Sequence, residues 1–288
     1  MMQQEARIAP AKINLTLKVL GRREDGFHEL ESLMVALDPD GLGDVLRFEQ
    51  SESYELHCDC PGVPVDETNL ISMAVRQFEQ HVGTPCRWKI SLEKNIPHGA
   101  GLGGGSSDAA TTLLALNELE GAGFSRGQLA EMGAALGSDI PFFIYQQACM
   151  VRGRGEIVEP VDPAALSGLP GTEILLLKPS FGVSTPDAYR HCMEAELLAG
   201  VDYSAQQMPW GEIVNDLEKA VFFKHRFLAE MKVWLMAQPD VTAAMMSGSG
   251  STMMAFPDNG EDALDLLARA RRELDPGLWG CRVAVQPL

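Results

Sequence analysis

A glycine-rich segment, PHGAGLGGGSS at residues 97–107, is the stretch of the sequence best suited to chemistry. Glycine has no Cβ, so closely spaced glycines let consecutive backbone N–H groups face one point. The segment leads into SSDAATTLLALNELEG, a helix-forming run that ends at Gly121. Because the N-terminus of a helix carries partial positive charge, the combination predicts a phosphate-binding loop.

Three common types of nucleotide loop fit this segment poorly. Gly99, Gly101 and Gly104 match the G-x-G-x-x-G spacing of a Rossmann site, but the acidic residues about 20 positions further on lie on the following helix and not after a second strand. A Walker A loop is excluded because no lysine precedes Ser106. A protein-kinase loop requires H-R-D and D-F-G segments downstream, and the sequence contains neither. A glycine hinge without a ligand stays open as an alternative.

Length and composition are those of a globular protein large enough for two packed lobes. The chain has 288 residues, of which 45% are hydrophobic and 22% charged, a balance that excludes disorder and fibrous repeats. No segment contains the roughly 18 consecutive apolar residues of a membrane span, and the first residues lack a signal-peptide pattern. We therefore expect a cytoplasmic protein that does not bind membranes. The six cysteines lack zinc-site spacing, which favours reduced and mostly buried thiols.

The net charge restricts the ligands of the protein. Lys and Arg number 23 against 40 Asp and Glu, which gives a formal charge of −17 at pH 7. A chain this acidic is not expected to bind nucleic acid. A polyanionic ligand must then be held by local groups: oriented N–H groups, a helix N-terminus, a few lysines and a metal ion. The glycine-rich segment is the best candidate for such a site.

The first half of the sequence predicts a sheet that leads the chain into this segment. Alternating apolar residues predict a strand over 7–20, and DVLRFEQ and YELHCDC predict two more. A 3.6-residue period in DETNLISMAVRQFEQHVG predicts a helix ending at Gly83, followed by the strand CRWKISLEKNI. SRGQLAEMGAALG predicts a helix capped by Ser125 and ended by Gly137. SDIPFFIYQQACMVRGRGEIVEPV predicts loop, strand and turn.

Prolines and glycines between residues 160 and 171 indicate a boundary between two domains, 1–160 and 161–288. Beyond it, TEILLLKPS predicts a buried strand, and STPDAYRHCMEAELLAG predicts a helix capped by Thr185 and ended by Gly200. PWGEIVNDLEKAVFFKHRFLAEMKVWLMAQ is predicted to be helical, and VTAAMMSGSGSTMMAFPD to form two strands around a glycine turn. EDALDLLARARREL predicts a helix and CRVAVQP a strand. Segregated strands and helices of this kind indicate an α+β fold.

Three separated motifs give the sequence a family resemblance. PHGAGLGGGSSDAA resembles the phosphate loop of the GHMP small-molecule kinases, and the strand PAKINLTL and the late turn MSGSGST occur in the order of that family. APAKINLTLKVLGRREDGFHELESLMVALD, LGSDIPFF and GRGEIVEPV further resemble the members that phosphorylate a cytidine diphosphate derivative in the non-mevalonate route to isoprenoids. The resemblance implies ATP, Mg²⁺ and a two-lobed GHMP kinase fold, with a ribosomal protein S5-like N-terminal domain and a ferredoxin-like C-terminal domain.

The resemblance also implies catalytic roles. Asp139 in LGSDIPFF would take the proton of the substrate hydroxyl, and Lys12 would keep Asp139 ionised and offset charge on the transferred phosphoryl group. Strand alternation places Lys12 on one face with Asn14 and Thr16. Without the resemblance, a turn cap is the alternative role for Asp139. The residues that the resemblance places around ATP are Pro97, His98, Gly99, Ala100, Gly101, Leu102, Gly103, Gly104, Gly105, Ser106 and Ser107.

Substrate contacts are implied for Asn14, Phe27, His28 and Tyr189. Phe27 and Tyr189 would stack on the two faces of a cytosine base, and His28 would contact the edge of the base. Phe27 stands where the family commonly has tyrosine, so a hydroxyl contact is lost while the stacking face remains. Without the resemblance, Phe27 and Tyr189 would be read as core residues.

Further expectations concern Asp108 and the late glycine turn. Asp108 is expected to point away from the phosphates and to interact favourably with the helix N-terminus. Gly248 and Gly250 are expected to brace the phosphate loop or to contact the substrate, with a simple hairpin turn as the alternative. Two other functions stay open: a GHMP kinase acting on homoserine or mevalonate, and a nucleotide-binding relative without activity. GFHELES and Tyr189 favour the cytidine substrate, because only that substrate needs a site for a base.

Overall fold

The computed structural model describes residues 4–259 and 262–287. Its strands are β1 (Gln4–Pro10), β2 (Lys12–Asn14), β3 (Thr16–Arg22), β4 (His28–Ala36), β5 (Gly43–Gln50), β6 (Glu55–Cys58), β7 (Trp88–Glu93), β8 (Cys149–Gly153), β9 (Ile157–Pro160), β10 (Glu173–Lys178), β11 (Gln206–Met208), β12 (Gly211–Asn215), β13 (Val241–Met246), β14 (Met253–Pro257) and β15 (Trp279–Ala284). Its helices are α1 (Leu70–Val82), α2 (Gly104–Leu119), α3 (Arg126–Ala134), α4 (Ile140–Tyr145), α5 (Thr185–Arg190), α6 (Glu218–Lys224), α7 (Arg226–Met236) and α8 (Ala263–Glu273), with a 3₁₀ turn at Pro163–Leu166.

Three sheets organise these elements. One has the strand order β1-β5-β7-β6, with α2 packed on β1 and β5 and α1 packed on α2. The second has the order β11-β12-β3-β4-β8-β9, and β2 also pairs with β4. The third, β13-β14-β10-β15, is antiparallel and packs against α7 and α8. The α+β prediction is confirmed, and the parallel pairing of β12 with β3 joins the two halves of the chain in one sheet.

The strand predicted over 7–20 is divided into three. β1 pairs with β5, whereas β2 and β3 pair with β4 in the second sheet. β1 ends at Pro10, which has no N–H to continue a ladder. The N–H of Lys12 donates to the carbonyl of Leu102 at 3.0 Å. The chain therefore crosses from one sheet to the next at Lys12, directly beside the glycine-rich loop.

Helix ends follow the predicted capping residues in α1 and α3. Gly83 adopts a left-handed φ of 78° as the C-cap of α1, and Ser125 caps α3 in a capping box. Helix α2 begins at Gly104, two residues before the predicted start at Ser106. Gly103, with a φ of 73°, makes the turn into the helix. The last two glycines of the loop are thus part of the first helical turn.

Two short helices differ from their predictions. The segment predicted as loop before β8 contains α4, which starts with Pro141 in its first turn and buries the apolar IPFFI side chains. The helix predicted to reach Gly200 is limited to α5, which ends at Arg190 and has Ser184, not Thr185, at its N-cap.

The prediction of one long helix from residue 209 is wrong at its start. Residues 211–215 form β12, because parallel pairing with β3 and antiparallel pairing with β11 override local helix preference. The remainder of the prediction is confirmed as α6 and α7. The late helix is confirmed as α8, although its predicted first residue, Glu261, lies outside the described residues.

In the part of the chain that the structure describes, no helix is both long enough and apolar enough to cross a membrane. The six cysteines are all unpaired thiols. Burial raises the pKa of Cys86 and of Cys149 to about 12, so both stay protonated at neutral pH. These thiols behave as small core residues.

Candidate active site

The glycine loop lies against β2 and against the late turn at residues 247–252. Gly101 and Gly103 have φ values of 76° and 73°, in the left-handed region that favours glycine. A Cβ on Gly101 would lie 2.6 Å from the carbonyl oxygen of Ser247, and a Cβ on Gly103 would lie 2.9 Å from Cγ of Lys12. Both positions therefore require glycine for conformation and for space.

The N-terminus of α2 lacks a side-chain cap among the residues that the structure describes. Its N-cap residue, Gly103, has no side chain to accept a hydrogen bond, and the first turn contains no acidic residue. Gly103 and the start of α2 therefore present backbone N–H groups and the positive end of a 16-residue helix to the space in front of the loop. This arrangement fits a phosphate group, since an anion there would supply the missing acceptors.

Lys12 and Asp139 meet at the edge of this loop. The ammonium of Lys12 donates to Oδ1 of Asn14 at 2.6 Å and lies 3.6 Å from Oδ2 of Asp139. Lys12 and Asn14 are buried, and Asn14 donates to the hydroxyl of Ser32 at 2.7 Å. The lysine is therefore held in one position by the strand on which it lies. The fold thus places Lys12 and Asp139 next to each other, as the family resemblance implies.

The carboxylate of Asp139 is available for chemistry. Asp139 occupies the N-cap position of α4, yet its side chain makes no capping hydrogen bond. The side chain is 38% exposed, whereas Lys12 beside it is 6% exposed. The alternative role of a turn cap is thus not the one that the carboxylate adopts. A partly exposed carboxylate next to a fixed ammonium can accept a proton from a bound hydroxyl.

The late turn braces the loop, as expected from the sequence. The N–H of Thr252 donates to the carbonyl of Ala100 at 3.3 Å. Asn215 donates from its amide to the carbonyls of Met246 and Gly248, both at 2.7 Å. A Cβ on Gly248 would lie 3.1 Å from Oδ1 of Asn14. The second half of the chain thereby fixes the groups around Lys12.

Three of the predicted substrate residues, Phe27, His28 and Tyr189, form an aromatic group, whereas the fourth, Asn14, lies beside Lys12. The rings of His28 and Tyr189 are stacked, with centroids 5.8 Å apart and an angle of 29° between their planes. Burial, together with the nearby carboxylate of Asp139, raises the pKa of Tyr189, so its hydroxyl stays protonated. Phe27 is 54% exposed, and the guanidinium of Arg154 lies 5.0 Å from its ring centroid. The two rings that stack on each other are therefore those of His28 and Tyr189. The ring of Phe27 instead has one face covered by the guanidinium of Arg154.

A single cleft of about 900 Å³ connects these groups. It is lined from both halves of the chain, including Lys12, Asn14, Asp139 and Tyr189. Ser107 is the exception among the predicted residues: its side chain is fully buried, its hydroxyl has no partner among the described residues, and it does not line the cleft. The other predicted residues on the cleft wall are Phe27, His28, Pro97, His98, Gly99, Ala100, Gly101, Leu102, Gly103, Gly104, Gly105 and Ser106.

The expectation of a direct contact between the Asp108 carboxyl and the N-terminus of α2 is wrong. The carboxyl is buried and accepts from the ammonium of Lys94 at 3.0 Å, and Lys94 also donates to Asp44. Lys94, Arg22 and Arg154 also line the cleft and were missed from the sequence. Lys94 stands three residues before the loop, the one signal that could have identified it.

The described residues contain no group of three or more His, Cys, Asp or Glu side chains arranged to hold a metal ion. Mg²⁺ commonly keeps several waters and binds through phosphates with one or two carboxylates. Asp139 is a carboxylate on the cleft wall, and the α2 terminus can hold phosphates. The site therefore fits a magnesium ion that arrives with phosphate groups.

Comparisons with known proteins show which family the chain is similar to. Profiles described as GHMP kinases N terminal domain and GHMP kinases C terminal match residues 69–147 and 197–275. A 4-diphosphocytidyl-2-C-methyl-D-erythritol kinase of Methylacidiphilum infernorum (isolate V4) is 37% identical over 275 residues, which cover 94% of this chain and 93% of the relative. A crystal structure of 4-(cytidine 5'-diphospho)-2C-methyl-D-erythritol kinase has a TM-score of 0.75 and 32% identity and covers 97% of this chain and 99% of its own. Homoserine kinase from Cytophaga hutchinsonii, with a TM-score of 0.64, 16% identity and coverage of 98% and 96%, shares the fold.

Proposed function

The chain belongs to the GHMP kinase family, and we propose that it transfers the γ-phosphoryl group of ATP to the 2-hydroxyl of 4-(cytidine 5'-diphospho)-2-C-methyl-D-erythritol, a step towards isoprenoid precursors. The observation that carries the proposal is the position of Lys12 and Asp139, 3.6 Å apart, in one cleft with the phosphate loop and the His28–Tyr189 rings. The near-full-length similarity to kinases of this substrate supports the choice of alcohol.

The reaction needs positioning and charge stabilisation more than covalent participation of the protein. ATP supplies the phosphoryl group, and the first N–H groups of α2 hold its phosphates. Asp139 accepts the proton as the hydroxyl oxygen attacks. Lys12 lies within reach of both the carboxylate and the loop, so its charge offsets the negative charge on the moving phosphoryl group.

The stacked rings of His28 and Tyr189 and the exposed face of Phe27 supply the surface for a cytosine base. Arg22 and Arg154 line the same part of the cleft, and their positive charges suit the diphosphate of the substrate. These positive groups matter because the chain as a whole carries a charge of −17. Asn14, fixed between Lys12 and Ser32, is placed to contact the substrate near its reacting end.

Three further points belong to the proposal. Mg²⁺ accompanies ATP and is held mainly by phosphates and water. The protein works in the cytoplasm, in keeping with its six unpaired thiols. The domain boundary is placed at residue 160, supported by the family segments 69–147 and 197–275 on either side of it.

Two alternatives have less support. A homoserine or mevalonate substrate has no base, so the stacked rings and the arginines at the far end of the cleft would have no ligand. A relative without catalytic activity would have no need for a buried lysine beside a partly exposed carboxylate.

The test is a comparison of substrates. The protein is incubated with ATP, Mg²⁺ and, separately, the cytidine diphosphate derivative, homoserine and mevalonate, and ADP release and product mass are measured. We expect phosphorylated product from the cytidine compound alone. Phosphorylation of one of the other alcohols with none of the cytidine compound would replace the proposed substrate, and no transfer to any of them would contradict the kinase.

A further inference from the structure

A buried charge cluster lies next to the phosphate loop and is not used by the proposed reaction. The ammonium of Lys94 donates to Asp44 and, at 3.0 Å, to Asp108. The three side chains are 8%, 0% and 4% exposed. A Cβ on Gly104, the first residue of α2, would lie 3.1 Å from Nζ of Lys94. The cluster therefore touches the helix terminus that faces the phosphates.

The charges of this cluster do not balance if both acids are ionised. One ammonium then faces two carboxylates, which leaves one negative charge buried. The two carboxyl groups also accept from the same ammonium, Nζ of Lys94. Two acids in this arrangement titrate as a pair, and the first proton to bind is held strongly.

The hydrogen bonds distinguish the two acids. Asp44 accepts from the N–H groups of Asn95 at 2.7 Å and Ile96 at 2.8 Å, in addition to Lys94. The carboxyl of Asp44 therefore has three hydrogen-bond donors. Asp108 accepts from Lys94, and its Oδ1 has no hydrogen-bond partner among the described residues. An ionised oxygen without a donor is costly in a buried site, so the proton belongs on Asp108.

Other charged groups on the elements around α2 do not alter this balance. α4 carries no charged side chain. On the remaining elements, Glu131 of α3 lines a different pocket, with Gln77 and His81. The other charged groups have partners of their own: Arg7 with Glu5 and Glu118, Arg47 with Glu93, Lys89 with Glu49, Arg76 with Glu67, Asp59 with the N–H of Lys94, Glu79 with the N–H of Cys86, His81 with the carbonyl of Gln77, and Arg126 with the carbonyls of Ile144 and Tyr145.

We propose that Asp108 and Asp44 share one proton, which is carried by Asp108. This neutral acid is a positioning residue: it keeps negative charge away from the N-terminal turn of α2, so that the turn can bind the phosphates of ATP. The part that concerns ATP rests on the proposed function, whereas the proton on Asp108 does not. Asp44 links the cluster to the loop, because it binds the backbone of residues 95 and 96 directly before Pro97.

The pKa directions agree with this geometry. Burial and the neighbouring Asp44, opposed by Lys94, raise the pKa of Asp108 to about 8. Burial would lower the pKa of Lys94, but the two carboxyl groups outweigh it and raise that pKa, so the lysine stays charged. As the pH rises through about 8, Asp108 releases its proton to solvent and becomes negative. That charge lies in the second turn of α2, close to where the phosphates bind.

The test compares the full-length wild-type protein with Asp108→Asn, which keeps the shape of the neutral acid and cannot ionise. Infrared difference spectra without nucleotide report the carbonyl band of a protonated carboxylic acid as a function of pH. KM for ATP and kcat are measured over the same pH range. Asp202→Asn is the control, because hydrogen bonds from Ser204 lower the pKa of this exposed carboxylate and keep it ionised.

We expect the wild-type protein and Asp202→Asn to show the acid band at pH 7 and to lose it above pH 8, while Asp108→Asn lacks it throughout. Above pH 8 the wild-type KM for ATP should rise by up to about tenfold per pH unit, with kcat at saturating ATP unchanged and KM in Asp108→Asn flat. An acid band that persists in Asp108→Asn, or a KM that rises equally in both proteins, overturns the proposal.

A second variant, Asp44→Asn, tests the same proposal independently if Asp108→Asn fails to fold. In Asp44→Asn, Lys94 faces a single carboxylate, so Asp108 should ionise and the acid band should disappear at pH 7. Thermal unfolding establishes that each variant is folded before it is compared. If no ATP binding is found in any protein, the proposed kinase fails, but the infrared result still decides whether Asp108 holds a proton.

Discussion

The two ends of the cleft are built in different ways. The end proposed to bind ATP, called the ATP end below, is made of backbone: left-handed glycines and the uncapped terminus of α2, all within residues 97–107. The end proposed to bind the cytidine substrate, called the substrate end below, is made of side chains that come from distant segments, with His28 on β4, Tyr189 on α5 and Arg154 after β8. A backbone site can be predicted from one segment, whereas a side-chain site depends on the pairing of remote elements.

The difference has a functional consequence. A cradle of backbone N–H groups can bind the phosphates of ATP without side chains. The second substrate varies, and exchangeable side chains can adapt to it. Lys12 belongs to neither end, because it lies where the chain crosses between two sheets and contacts both the loop and Asp139. Variants at each place should therefore separate chemistry, ATP binding and substrate binding.

The largest effect is expected for Lys12→Ala. Loss of its charge beside Asp139 should lower kcat by about 10²–10⁴-fold, while the Kd for ATP measured by calorimetry changes little. Lys18→Ala is the matched control, since Lys18 is on β3 and pairs with the exposed Glu212. Near-normal turnover in a folded Lys12→Ala protein would remove Lys12 from the chemistry.

Gly103→Ala should have the next largest effect. Its Cβ would lie 2.9 Å from Cγ of Lys12 and 2.9 Å from Cζ of Phe143, at a φ of 73°. A displacement of about 1 Å near the reacting groups costs about 10²-fold in kcat/KM. Gly99→Ala has the same backbone strain, with a φ of 63°, but no atom within 4 Å. Equal losses in the two variants would show that strain, and not contact with Lys12, is responsible.

Tyr189→Ala should raise KM for the cytidine substrate by about tenfold, because base stacking on an aromatic ring contributes about 1–3 kcal/mol. KM for ATP should stay unchanged, which is the feature that separates the two ends of the cleft. Tyr189→Phe keeps the ring and should stay near the wild-type value. A parallel rise in KM for ATP in Tyr189→Ala would mean that the two ends are not independent.

The smallest effect is expected for Arg154→Ala. Its guanidinium covers one face of the exposed Phe27 ring, an interaction of about 0.5–1 kcal/mol. KM for the cytidine substrate should rise by about two- to fivefold, and added salt should reduce the difference. Arg152→Ala is the control, because Arg152 pairs with Glu31 and Glu159 and does not line the cleft. The same rise in both variants would point to a general charge effect.

The sequence predicted what local signals encode. The glycine loop, the Ser125 cap and the Gly83 stop depend on a few adjacent residues, and the structure has them in place. The start of β12 was mistaken for helix because its partner, β3, lies about 200 residues earlier in the sequence.

The residues of the site show the same difference between local sequence signals and long-range contacts. Lys12 and Asp139 were predicted together only through the family resemblance, since nothing local brings β2 next to α4. The Lys94 cluster was missed because Asp44, on β5, meets it through sheet pairing. Ser107 was expected to face the phosphates, but the early start of α2 turns it into the core.

The central claim is that Asp139 is the base that takes the proton of the substrate hydroxyl while the phosphoryl group of ATP is transferred to it. A rapid-quench single-turnover experiment with Asp139→Asn tests it most directly, after calorimetry has established that ATP and the cytidine substrate both bind. We predict near-normal binding of both and transfer slowed by about 10²–10⁴-fold relative to the wild-type protein. Transfer at the wild-type rate from the bound complex would contradict the assignment of Asp139 as the base.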